Sequence, residues 1–109
     1  MMFAIPYTIV VMRYQILKSA EFMKWYSRQN KKTQAILDAR FDRIEIDGHF
    51  GLINRFEGLV ELKWASGMRV YTFVSGSKLV VALYGGNKNG QDKDIKNAKR
   101  IREEFLHQA

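Results

Sequence analysis

The chain has no cysteine and only two histidines, His49 and His107. The first absence excludes a disulfide scaffold and thiolate metal sites. Two histidines so far apart give no argument for zinc, and isolated histidines of this kind belong to the surface. No run approaches the roughly 20 apolar residues needed to span a bilayer. The apolar start, MMFAIPYTIVVM, is too short for that, and it has neither a basic leader nor a small-residue cleavage site, so no signal peptide or membrane partner is expected. Acid is scarce as well: 11 Asp and Glu stand against 18 Lys and Arg, a net charge of +7. Such a balance turns the partner list toward nucleic acid, acidic proteins or anionic surfaces without choosing among them.

What is present suffices for one modest core. With 109 residues, 47% apolar and 13% aromatic, the chain reads as a single domain over residues 1–109. Residues 1–12 form a candidate N-terminal extension, since Met12 offers an alternative start. If Met1 begins the protein, Thr8 to Leu17 extend an edge strand, with Pro6 marking where ladder pairing stops.

Two helical patterns follow. In SAEFMKWYSRQN, Phe22, Trp25, Tyr26 and Gln29 share one side and Ser19 is the expected N-cap. In KKTQAILDARFDRIEI, residues Ile36, Leu37, Arg40, Phe41 and Ile44 follow the spacing of a buried helix face. The pair reads as a helical hairpin whose cations Lys24, Arg28, Lys31, Lys32, Arg40 and Arg43 form a solvated face, Arg40 falling in both sets. Gly48 and Gly51 end it, and Asn54 to Glu57 lead into a sheet.

In that sheet, a three-residue loop of Ala65, Ser66 and Gly67, with Gly67 left-handed, registers Trp64 with Met68, Leu62 with Val70 and Val60 with Thr72. One face becomes apolar. The other sets Lys63 opposite Arg69 and Glu61 opposite Tyr71. Carried through the turn at Ser75 and Gly76, the register adds Leu79, Val81 and Leu83 to the apolar face, and Val80, Ala82 and Tyr84 to the charged one, with Ala82 beside Arg69 leaving room for a ligand. Gly85 and Gly86 then turn the chain toward Lys88. Asp92 is the expected N-cap of a last helix with a narrow stripe of Ile95, Ala98, Ile101 and Phe105. Its other side carries Lys93, Lys96, Lys99, Arg100 and Arg102, which suits an RNA backbone or plain solvation equally.

The order VELKWASGMRVYTF and then LVVALYGGNKNGQDKDIKNA resembles the RelE/ParE toxin superfamily, and within it the addiction-module killer proteins (the HigB/RelE-like branch), over Arg13 to Phe105. The elements that carry the likeness are Glu61 and Lys63, then Gly67 with Arg69 and Tyr71, then Gly85, Gly86 and Lys88, then Gln91, Asp94 and Ile95. The resemblance implies an α+β fold: an N-terminal helical hairpin packed on a small antiparallel twisted sheet, with a C-terminal helix. It implies a cytoplasmic toxin of a type II toxin-antitoxin system, a metal-independent, cofactor-free, ribosome-dependent mRNA endonuclease that inhibits translation. Its implied partners are a cognate antitoxin, a small helix-turn-helix protein, together with the ribosome and mRNA. Lys63 stands where such proteins often carry Arg, which removes bidentate phosphate geometry, and no tyrosine follows Lys88.

RNA cleavage without a metal needs the 2′-OH deprotonated, the phosphorane stabilised and the leaving 5′-oxygen protonated, all within reach of basic side chains. The resemblance assigns Arg69 to the scissile phosphate, Lys63 and Lys88 to phosphate contact or proton transfer, and Tyr71 to base stacking or proton transfer. Lys93, Lys96, Lys99 and Arg100 are the candidate RNA-binding residues. Glu61 beside two cations is a weak base, so an orienting role is favoured over general base. By itself, this pattern is more often a cross-strand salt bridge without chemistry. The rival functions are a ParE-like gyrase inhibitor, which needs no charged sheet cluster, and a non-catalytic basic RNA-binding domain.

Overall fold

A computed structural model describes residues 12–108. The chain runs β1 (Gln15–Lys18), α1 (Ala20–Ser27), α2 (Lys31–Asp47), β2 (Ile53–Phe56), β3 (Leu59–Lys63), β4 (Met68–Ser75), β5 (Leu79–Asn87), a 3-10 turn (Lys88–Gly90) and α3 (Gln91–Leu106). The class is α+β as expected, but the sheet is mixed. Its five strands lie in the order β1-β5-β4-β3-β2, with β1 parallel to β5 and the other neighbours antiparallel. A strand therefore precedes the helical hairpin, and it lies at the sheet edge with Gln15–Leu17 inside the expected Thr8–Leu17 edge strand. Its parallel partner, Leu79–Ala82, lies far along the chain, so no local periodicity reveals that pairing. Of the expected Thr8–Leu17 strand, the part before Met12, Pro6 included, lies outside the described residues.

Ser19 caps α1 as expected, accepting from Phe22 N at 2.9 Å, and its hydroxyl also donates to Leu83 O at 2.7 Å. One side chain thus ends β1, starts α1 and ties both to β5. In α2, Leu37, Phe41 and Ile44 are buried, whereas Ile36 is 43% exposed. It sits off the stripe because 100° per residue carries position 36 away from the line joining 37, 41 and 44.

The register predicted between β3 and β4 is the one observed, from Val60↔Thr72 to Lys63↔Arg69. Gly67 takes φ +99°, the left-handed conformation the turn requires. Between β4 and β5 the expectation fails. Tyr71 pairs with Tyr84 but Thr72 pairs with Ala82, so a bulge leaves Leu83 without a partner. Arg69 therefore faces Gly86, and Ala82 lies opposite Thr72 rather than beside Arg69.

That bulge sorts the faces differently from the simple alternation. Val60, Leu62, Val70, Val80 and Ala82 pack under the hairpin with Phe22, Leu37, Phe41 and Ile44. Val81 and Leu83, expected on that side, lie instead with Leu59, Tyr71, Phe73, Ala98 and Ile101 under α3; the Leu79 side chain is outside those described. Both faces are thus covered, each large apolar side chain contributing about 1.5–3 kcal/mol by burial. The stripe of α3 is as expected, but Asp92 does not cap it. The N-cap is Gly90, with no side-chain bond, because Asn87 caps the preceding 3-10 turn by accepting from Asn89 N at 2.9 Å, and that turn runs straight into the helix. Asp92 then lies in the first turn, where a negative charge suits the helix dipole.

Candidate active site

The β3–β4 hairpin puts Glu61 opposite Tyr71 and Lys63 opposite Arg69. Its turn closes through Gly67 N donating to Trp64 O at 3.0 Å, and Lys88 N donates to Gly67 O at 2.9 Å, which folds the exit of β5 onto the hairpin tip. The Lys88 side chain runs past Gly67, so a β-carbon there would lie 3.6 Å from its methylenes. Lys63, Arg69 and Lys88 are thereby gathered at one end of the sheet.

Arg69 is held by the backbone. Its Nη1 donates to Trp64 O at 3.1 Å and Met68 O at 2.9 Å, and its Nε lies 3.8 Å from Glu61 Oε2, too far for a hydrogen bond. Its side chain is 12% exposed and that of Glu61 is 1% exposed. Glu61 Oε2 accepts from Gln91 Nε2 at 2.7 Å, so the first residue of α3 lies over the carboxylate. Tyr71 is fully buried. Among the described residues, two buried polar atoms here have no hydrogen-bond partner, Arg69 Nε and Tyr71 Oη. Burial, and then the charge of Glu61, push the Tyr71 phenol well above the ordinary tyrosine value, so it is a neutral hydroxyl. The Asp94 carboxyl presses on the Cα of Gly86, where any side chain would collide with it, and burial raises its pKa.

Every expected site residue has a clear place. Arg69 lies beside Glu61, the half-buried Lys63 is the cross-strand neighbour of Arg69, and the exposed Lys88 runs along Gly67 at the hairpin tip. Tyr71 belongs to the cluster but cannot stack on a base in this arrangement, because α3 covers its ring. Glu61 is almost wholly buried, so loss of Arg69 would leave its carboxylate inside the fold with Gln91 as its hydrogen-bond donor. On α3, Lys93 and Lys96 are exposed, whereas Lys99 Nζ pairs with Glu57 Oε2 at 2.9 Å and Arg100 pairs with Glu104 at 2.8 Å and Glu21 at 3.7 Å.

No protein-family model matches the chain. A Haemophilus influenzae protein carrying the name "Uncharacterized protein" is 38% identical over 98 residues, spanning 86% of this chain and 98% of that protein. The chain belongs to that protein's family. In architecture it is similar to a chain of the toxin-antitoxin complex RelBE2 from Mycobacterium tuberculosis, with a TM-score of 0.55 and 14% identity over 69% of this chain and 98% of that one. The likeness shows a shared fold: the α+β arrangement of this chain is that of a chain in that complex. Among the described residues no helix is long and apolar enough to cross a membrane.

Arg40, expected both in the buried spacing of α2 and among its solvated cations, takes the inward, half-buried place. Instead of lying on a solvated face, its guanidinium donates to Phe50 O and Leu52 O, each at 2.6 Å, and to Lys63 O at 3.0 Å, while sitting 4.5 Å from the centre of the Trp64 ring. Arg40 and Arg69 thus hold successive carbonyls, Lys63 O and Trp64 O, at the base of the hairpin. Burial lowers the Arg40 pKa, yet a guanidinium stays charged at any physiological pH. The available signal was its position among the core residues of α2. Gln91 and Asp94 were seen only as parts of a motif; their contacts to Glu61 and Gly86 give that spacing a physical content.

Proposed function

We propose that this protein is the toxin of a type II toxin-antitoxin pair and cleaves mRNA on the ribosome without a metal. The observation that carries the reading is that Lys63, Arg69 and Lys88 stand at one end of the sheet, with Arg69 beside the buried Glu61 carboxylate. In the proposed reaction the 2′-oxygen loses its proton and attacks phosphorus, and the 5′-oxygen leaves with a proton, giving a 2′,3′-cyclic phosphate and a 5′-hydroxyl end. Arg69 stabilises the charge on the non-bridging oxygens, because its backbone bonds hold the guanidinium ready before the charge develops. Lys63 and Lys88 serve phosphate contact and proton transfer. Glu61 orients Arg69, a role that suits a carboxylate already holding Gln91. The partner is an antitoxin whose acidic segment covers the basic end of the sheet. A free +7 chain would otherwise bind RNA indiscriminately.

A second reading draws on the burial of Glu61 and Tyr71: gyrase inhibition by binding, with the cluster serving only the fold. One experiment separates the two. Expressed without antitoxin, the wild-type chain arrests growth and its ribosome-bound mRNA is cut, while Arg69→Ala, compared at equal amounts of folded protein, does neither. Growth arrest with intact mRNA and stalled replication moves the choice to gyrase, and full toxicity of Arg69→Ala removes the nuclease assignment.

A further inference from the structure

A second basic surface adjoins the end of the sheet that carries Lys63, Arg69 and Lys88. Where β1 stops opposite Ala82, β5 continues to Asn87 with β4 as its only ladder partner among the described residues, and a groove opens there between α1 and α3. Its walls carry Lys24, Trp25 and Arg28 from α1, Tyr84 from β5, and Asn97 and Arg100 from α3. The Trp25 indole lies on Gly85, so closely that any side chain at 85 would run into the ring. Lys24 and Arg28 are exposed and, among the described residues, neither is in an ion pair, while Trp25 and Tyr84 are half-buried.

Three cations, two aromatic rings and one amide in a narrow open groove are the components of single-strand recognition. The cations track phosphates, the rings offer faces or edges to bases of any identity, and the amide can pair with a base edge. Acid does not cancel the cations. Glu21 lines the groove at 3.7 Å from Arg100, and Glu104 holds Arg100 at 2.8 Å. Exposed pairs of this sort exchange for a phosphate at little cost. A strand-adding peptide would call instead for apolar pockets at alternate positions, and the groove walls are charged and aromatic.

We infer that the groove between α1 and α3, built on Trp25, Tyr84, Lys24, Arg28, Asn97 and Arg100, is a binding subsite for single-stranded RNA. It lies beside the proposed cleavage site, since Gly86, next to the Gly85 that carries Trp25, pairs with Arg69. Its role as a substrate subsite rests on the nuclease reading; its affinity for RNA does not.

The test uses the full chain and an eight-nucleotide oligouridine, without ribosomes, so that chemistry plays no part. In Trp64→Phe protein the remaining Trp25 emission is quenched as the RNA binds, and the double variant Lys24→Glu/Arg28→Glu binds at least tenfold more weakly. Losing two phosphate contacts makes its log–log salt dependence shallower by roughly 1.4. The double variant Arg43→Glu/Arg55→Glu, with the same change in net charge elsewhere, loses much less. Should Trp64→Phe fail to fold, Trp25→Phe serves in its place: the RNA-dependent quench vanishes from its emission. Equal losses in both double variants, no quenching of Trp25, or quenching by the antitoxin but not by RNA would each overturn the inference. Failure of the nuclease reading shows separately, as uncut mRNA in arrested cells.

Discussion

The two faces of the sheet are both covered and are built on opposite principles. Under the helical hairpin lie Phe22, Leu37, Phe41, Ile44, Val60, Leu62, Val70 and Val80, and the buried polar residue there, Thr72, donates its hydroxyl to Val60 O at 2.8 Å. Under α3 the apolar residues share space with Glu61, Arg69 and Tyr71, and two polar atoms have no hydrogen-bond partner among the described residues. Each such atom costs about 1–3 kcal/mol if nothing satisfies it. A sheet seeking only stability would place Val or Leu there, as its own other face does. The hairpin face makes the fold, and the α3 face gives up stability to hold a charged arrangement in place.

Substitutions should therefore act differently on the two faces. The largest effect is expected from Phe41→Ala: it removes a buried ring in contact with Phe22 and should lower stability by about 3–5 kcal/mol in urea unfolding. Cleavage per folded molecule should be unchanged. Arg69→Ala should do the reverse in emphasis, slowing mRNA cleavage at least a hundredfold, equivalent to about 3 kcal/mol of transition-state stabilisation. It also destabilises the fold, because Glu61 is left buried with Gln91 as its hydrogen-bond donor. A well-folded, fully active Arg69→Ala protein would erase the contrast between the faces.

Arg40→Lys lies between these extremes, on the hairpin side but bonded to the site. A lysine cannot reach three carbonyls as a planar fork does, so about 2 kcal/mol of stability should be lost together with part of the cleavage rate. Unchanged activity at unchanged stability would show that α2 does not help to hold the base of the β3–β4 turn.

The smallest expected effect belongs to Asp94. Its pKa is raised in the folded protein above the ordinary 3.8 by burial, so the folded state holds its proton longer than the unfolded chain does. Stability from this group is present below the unfolded value and is lost as pH rises through the folded value. Asp94→Asn should flatten that decline in thermal melts taken from acidic to neutral pH. An identical pH profile in the variant would mean that the carboxyl is no less solvated than in the unfolded chain.

Much of this molecule was written in local sequence. The Ser19 cap, the stripe of α3 and the β3–β4 register all followed from spacing, because a capping hydroxyl, a helical period and a three-residue turn act over a few residues. The grouping of Glu61, Lys63 and Arg69 came with that register. What only the tertiary structure decided depends on distant contacts. The bulge at Leu83 moved Val81 and Leu83 to the other face, and β1 paired in parallel with a strand more than sixty residues away. Arg40 left the solvent for three carbonyls that only the assembled fold brings together. The start of α3 buried Glu61 and Tyr71, for a helix period shows which stripe is buried but not which side chains of a sheet it will cover.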